Sequence, residues 1–287
     1  ATGVDKEARQ MLEANAKGFA LLDLAFTRET QRLLSLLGQH EIHVLLIKGF
    51  PVAHLYYPAS YLRHRVDVDI YLEESDWSRV MPILKKAGYQ LNWERTNSLS
   101  SKQFTATVPS KAPQSIVFDI HKRISNRQVF VDLLRFDACW EQRIALPGVH
   151  ERAQTLSASH QLILCCLHRL AHGRSTARNR MTWLYDVHLM SQSMSPAEQE
   201  NFVKDALEMQ VGAVCADALI HSAFWFETGT DPDTQTRLLS QAAKEPSAQL
   251  LHAGKLGWLM SDFNGQAGLG NKLSFVKETL INQLRSH

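Results

Sequence analysis

The stretch Val66 to Leu72 reads VDVDIYL, and it constrains the fold more than any other segment of the chain. Val66, Val68, Ile70 and Leu72 alternate with Asp67, Asp69 and Tyr71. Side chains along a strand point to opposite faces with a period of two. The alternation therefore predicts a strand with one apolar face, and with two carboxylates together on the other. Asp is a poor strand former, and neighbouring like charges repel. A fold tolerates the pair where a cation sits between the acids, or where the strand is an edge and the acids face water. Carboxylates suit hard divalent ions such as Mg2+, shared with water and phosphate oxygens. Asp119 is a third acid, set inside the apolar run Val117 to Ile120. Three acids on adjacent strands make a two-metal phosphoryl-transfer site. The spacing alone does not choose between a metal site and a water-facing edge.

The rest of the chain surrounds this strand with alternating elements. The first forty residues read as helical, with Thr27 restarting or capping a second stretch and Gly38 ending it. Ile42 to Ile47 (IHVLLI) predicts a buried strand closed by Lys48-Gly49. Glycine lets backbone amides approach a phosphate and lysine supplies a point charge, although an ordinary strand-to-helix turn has the same residues. Pro51 to Tyr57 predicts a helix with proline in its first turn. Glu73 to Lys86 predicts an amphipathic helix capped by Ser75, burying Val80, Ile83, Leu84 and Ala87 and ended by Gly88. Tyr89 to Trp93, Gln103 to Val108 and Ser115 to His121 read as strands, the first two joined by a polar loop, Thr96 to Ser101.

From about Gln128 the pattern turns helical: Val129 to Trp140, Ser157 to His172, Met181 to Met190, Pro196 to Met209 and Gly212 to Phe226. A short strand, Arg143 to Leu146, precedes the Pro147-Gly148 turn. The tail, Thr234 to Ser286, reads as helical with a Gly-rich break at Phe263 to Gly270. The expected class is α+β: N-terminal helices over 1–40, an α/β core with a mixed sheet and flanking helices over 41–150, and an all-helical domain over 151–287.

Composition narrows the function classes. With 287 residues and 45% hydrophobic content, the chain buries a sizeable core. Lys and Arg number 31 against 29 Asp and Glu, a balance that argues against long nucleic acids as partners. No apolar run reaches the roughly eighteen residues of a membrane span. Cys139, Cys165, Cys166 and Cys215 form no C-x-x-C pair and read as buried free thiols of a reducing, cytoplasmic compartment. Mixed charge at the N-terminus does not resemble an export signal, and a first residue other than Met fits a start inside a longer product. His168 and His172 share a helix face at a spacing that suits zinc, but lack an obvious third ligand; a structural or pocket role is expected. Asp186 is placed to accept from one of them, and Trp183 and Tyr185 read as core. Arg169, Arg174, Arg178 and Arg180 read as a solvated basic loop.

Leu45 to Leu72, LLIKGFPVAHLYYPASYLRHRVDVDIYL, carries Lys48-Gly49, Tyr57, Arg63, Asp67 and Asp69 in order. It resembles an uncharacterised nucleotidyltransferase family of the DNA polymerase β-like superfamily. That family's pattern is roughly LLKG, an apolar helix, then a tyrosine and R-x-x-x-D-x-D. Leu84 to Tyr89 resembles its L-x-x-x-G-Y, and Phe118 to His121 its third-acid strand, h-D-h-H. His168, His172, Trp183 and Asp186 are similar to its H-x-x-x-H and W-L-x-D segment. The resemblance spans about residues 27–228. One departure is Phe50, which follows Gly49 where the superfamily usually has Ser or Gly; Lys48 is then expected to hold the triphosphate.

The resemblance implies a polymerase β-like fold and transfer of a nucleoside monophosphate from an NTP, ATP by default, to an unidentified hydroxyl acceptor. The acceptor is a small molecule or a partner protein. It implies Asp67 and Asp69 as ligands of Mg2+ and the triphosphate, with two ions expected. Asp119 binds the second metal or serves as general base. Lys48, Gly49 and Arg63 face phosphate, although Arg63 fits a salt bridge to Asp67 or Glu73 equally well. A nucleotide-binding or scaffolding module that has kept the fold without transfer is the alternative.

Overall fold

The computed structural model describes residues 5–92, 103–108, 115–172, 180–228 and 231–284. Val44–Ile47 (β1) and Val68–Leu72 (β2) are buried at every position. Strands buried on both faces belong inside a sheet, and these two pair antiparallel, with Ile47 opposite Asp69 and Val44 opposite Leu72. Gln90–Asn92 (β3), Gln103–Val108 (β4), Ile116–His121 (β5), Ile144–Ala145 (β6) and Gln154–Thr155 (β7) complete a seven-stranded sheet ordered β3-β4-β5-β2-β1-β7-β6. The sheet is mixed, because β7 runs parallel to β1 and antiparallel to β6. β2 is an interior strand, so its acids are not the surface of an edge.

The strand is shorter than VDVDIYL suggests. It begins at Val68, Asp67 lies just before it, and Val66 is 58% exposed instead of joining the apolar face. The neighbouring Arg65 is buried and paired with Asp23, which fixes the loop ahead of β2 and turns Val66 outward.

Helices flank the sheet. Lys6–Gln39 (α1) is one continuous 34-residue helix, with no restart at Thr27. Phe26, Thr30, Leu33, Leu34 and Leu37 form its buried stripe, whereas Leu21 and Leu24 are exposed. Gly49–Tyr56 (α2) carries Pro51 in its first turn, where a missing amide hydrogen costs nothing. Trp77–Lys86 (α3) starts after a 3-10 turn at Glu74–Asp76, so Ser75 lies in that turn and does not cap the helix. Val80 and Leu84 are its buried residues. Gly88 takes a positive φ of 89°, which glycine adopts without strain, and leads into β3.

The helix expected over Val129 to Trp140 is a 3-10 turn, Gln128–Phe130, followed after an extended Arg135 by Phe136–Glu141 (α4). Phe130, Leu134 and Phe136 are all buried. A continuous helix at about 100° per residue would set Phe136 some 160° from Leu134, on the opposite side. With the break, all three reach the interior.

The remaining elements are helical: Ala158–Ala171 (α5), Met181–Ser193 (α6), Pro196–Glu208 (α7), Gly212–Phe226 (α8), Pro232–Leu239 (α9), Lys255–Asn264 (α10) and Gly268–Leu284 (α11). Ser157 accepts from the His160 amide at the start of α5, and Ser195 with Glu198 forms a capping box on α7. The break expected near Phe263 to Gly270 separates α10 from α11. This is the α+β class expected, a mixed sheet with flanking helices and a helical C-terminal region. Contacts divide the chain into two compact units, residues 1–91, 105–120 and 144–155 in one, and 92–104, 121–143 and 156–287 in the other. One dividing point falls at the last residue of β5, which is itself a single strand. All four cysteines are free thiols. Among the described residues no helix is long and apolar enough to cross a membrane.

Candidate active site

Register positions the first two site residues. Ile47 ends β1 opposite Asp69, so the next residue, Lys48, emerges beside that carboxylate. The Lys48 Nζ donates to Asp69 Oδ1 at 2.5 Å, with both side chains largely shielded from solvent. The backbone of Lys48 is at φ 59°, ψ −128°, a region disfavoured for any residue with a Cβ. Such conformations cost on the order of 1–3 kcal/mol and gather at functional sites. Here the strain turns the chain from β1 directly into α2.

Gly49 opens α2, and its missing side chain is used by Arg63. A Cβ at residue 49 would collide with the Arg63 guanidinium. Arg63 is itself only 9% exposed. The space beside Gly49 that sequence reading reserved for phosphate is therefore lined by an arginine. Two residues on, Arg65 pairs with Asp23 of α1, donates to the Ser60 carbonyl and lies over the Phe50 ring at 4.8 Å. Asp23 also accepts from the Ser60 hydroxyl at 2.7 Å. This network ties the loop that leads to Asp67 onto α1 and α2.

The three acids meet electrostatically. Burial, and then the charges of Asp69 and Asp119, push the Asp67 carboxyl up to about 7, against the opposing pull of Lys48 and Arg63. Asp119, on β5 beside β2, accepts from the Thr105 hydroxyl at 3.0 Å. Asp69, Asp119 and His121 offer ligand atoms that all lie within 4.8 Å of one another. Asp67 is close enough to feel this group but is not one of the three. Two carboxylates and an imidazole, with the Asp67 carboxyl close by, fit a divalent cation.

Neither Arg65 nor Asp23 stood out in the sequence, because nothing in local spacing links residues so far apart. His121 carried a usable signal: Asp119-x-His121 repeats the two-residue spacing of Asp67-x-Asp69, which sets both side chains on one face of a strand.

A histidine pair, His168 and His172, lies in the helical unit. The two lie against each other with tilted rings, centroids 4.3 Å apart, and His168 meets the Trp183 ring edge-on at 4.9 Å. Arg180 lies over the same Trp183 ring at 5.0 Å. Asp186 is buried nearby in sequence on α6. Among the described residues no third metal ligand joins this pair. Arg169 is not a solvated loop residue: it is fully buried on α5 and paired with Asp217 at 2.6 Å. Arg174 and Arg178 lie outside the described residues.

The sequence model of a family described as an uncharacterised nucleotidyltransferase matches residues 2–227. The match takes in all of α1, the whole sheet and the helices through α8, and leaves α9 to α11 outside it. No curated protein matches the chain.

Proposed function

The chain belongs to this uncharacterised nucleotidyltransferase family, and from that membership we propose that it moves a nucleoside monophosphate from an NTP to a hydroxyl acceptor. The observation that carries the reading at residue level is the raised Asp67. Its carboxyl is held at about 7 by burial and by Asp69 and Asp119. Like charges brought together this way invite a cation. Asp67, Asp69 and Asp119 would hold Mg2+, with two ions the fuller complement. The metal, when bound, stabilises charge on the attacking and leaving oxygens.

The chain's own residues do the rest. Lys48 sits against Asp69 in the free protein and passes to the triphosphate when nucleotide arrives. Arg63, packed on Gly49, faces the phosphates of the same ligand. The acceptor oxygen attacks the α-phosphorus, the bond to the bridging oxygen breaks, and pyrophosphate leaves. Asp119, held by Thr105, takes the proton of the acceptor hydroxyl. The acceptor is a small molecule or a protein side chain.

One observation favours a second reading. Lys48 already gives Asp69 a cation from within the chain, which suits a module that binds nucleotide and transfers nothing. Calorimetric titration of ATP, GTP, CTP and UTP, with and without Mg2+, tests both readings. It is run on the wild type and on the Asp67→Asn/Asp69→Asn double variant. Metal-dependent binding that the double variant loses, with pyrophosphate release over an acceptor panel, is the expected result. Binding without any release supports the second reading. No binding in any wild-type titration overturns both.

A further inference from the structure

Imidazole and carboxylate select metals differently, and β5 puts one of each on the same face. Asp119 and His121 are two residues apart on one strand, and Asp69 sits on the neighbouring strand. The ligand atoms of all three lie within 4.8 Å of one another. Donors that share one ion at roughly 2.1 Å stand at most about 4.2 Å apart. Three donors cannot all stand at that limit, so side-chain movement of about an ångström gathers the set. His121 is 2% exposed, so its ring is held in the sheet and faces the site without solvent competing for it.

We propose that His121 is a ligand of the active-site metal, and that the site therefore prefers Mn2+ to Mg2+. The inference rests on the metal-dependent reading above and deepens it. Three carboxylates alone are a hard oxygen set that accepts Mg2+ readily. Mg2+ gains little from an imidazole nitrogen, whereas first-row transition ions bind it well. Mn2+ keeps affinity for the carboxylates and for phosphate oxygens, so the nitrogen changes the choice of ion without changing the chemistry.

The test uses Mn2+ alone, added to the full chain and followed by pulsed electron paramagnetic resonance. Competition with Mg2+ is measured on the same sample. The wild type is expected to show nitrogen coupling from a bound imidazole and a Mn2+ preference of about tenfold or more. Even outer-shell partners of metal ligands are worth 10–100-fold in affinity. His121→Gln is expected to lose the coupling and most of the preference, with Mg2+ binding changed far less. His121→Asn serves where the longer side chain disturbs the sheet. Bound Mn2+ without nitrogen coupling in the wild type, or coupling that persists in both variants, overturns His121 as a ligand. Either of those results leaves the carboxylate site standing, provided that Asp69→Asn abolishes binding. A wild type that binds neither ion overturns this inference and the metal-dependent reading together.

Discussion

Two residues of the site are held in states that cost stability, and each cost is measurable. Lys48 pairs with Asp69 while its backbone occupies φ 59°, ψ −128°. Lys48→Ala removes the charge and keeps the strain; Lys48→Gly removes both. The glycine variant is expected to be the more stable by about 1 kcal/mol in urea unfolding, although both lose nucleotide binding. Equal stability would mean that the conformation is not strained. Asp67 carries its cost as a proton. Its folded carboxyl titrates near 7, above the 3.8 of an unfolded chain. Between those values the folded protein holds the extra proton, so the contribution of Asp67 to stability is full below about 4 and is lost as pH rises through 7. Asp67→Asn removes this dependence. Its stability relative to wild type is expected to grow between pH 5 and pH 8, by on the order of 2 kcal/mol, in metal-free denaturant titrations. The acids were legible in the sequence because D-x-D inside an apolar strand is locally anomalous. The strain at Lys48 was not, because only a glycine announces a positive φ, and here a lysine stands in that place.

At the scale of elements, what was legible followed local periodicity. β1, β2, β5, α5 and α8 each bury an apolar pattern that their own residues spell out, while Ser157 marks the start of α5 and Gly88 the turn from α3 to β3 by backbone chemistry. What was not legible depended on distant partners. β7 is two residues long and exists because it pairs with β1 and β6. The 128–141 segment is interrupted at an extended Arg135, and Phe130, Leu134 and Phe136 on either side of it all reach the interior. The junction of β1 and α2 shows the same dependence. Gly49 has no special φ; it is needed because Arg63 fills the space where a Cβ would be. Gly49→Ala is therefore expected to displace the guanidinium at the movable end of Arg63 and to destabilise the protein by about 1 kcal/mol, the low end of overpacking costs. Thermal unfolding checks this. Gly49→Ala combined with Arg63→Ala should recover much of the loss. A double variant as unstable as the sum of the two singles would argue against a shared steric cause.

At the scale of the whole molecule, the family match stops at residue 227, yet the fold of the helical unit does not. α8 begins without a side-chain cap of its own, and Val211 at its start offers none. The Glu245 carboxylate supplies the missing acceptors. It takes the amide hydrogens of Gly212 at 2.9 Å and Ala213 at 2.8 Å, and is 2% exposed. A negative charge at a helix N-terminus also meets the positive end of the helix dipole. The Leu238 carbonyl packs so closely on Gly212 that a Cβ there would collide with it. Ser247 donates to the Gln210 carbonyl at 2.7 Å, and Asp262 on α10 takes both the Arg127 guanidinium and the Gln128 amide. Residues 231–284 are thus part of the same folded unit as the helices inside the family match. Glu245→Ala leaves two buried amides without acceptors and is expected to cost about 2–4 kcal/mol. Glu245→Gln keeps one side-chain oxygen and costs less. A chain ended at residue 228 removes all of these partners, and its helical unit should unfold at a temperature lower than that of either point variant. Calorimetric unfolding of the three forms beside wild type decides it. A truncated chain as stable as the parent would show that α9 to α11 are an appendage, and that the buried amides of α8 have found other acceptors.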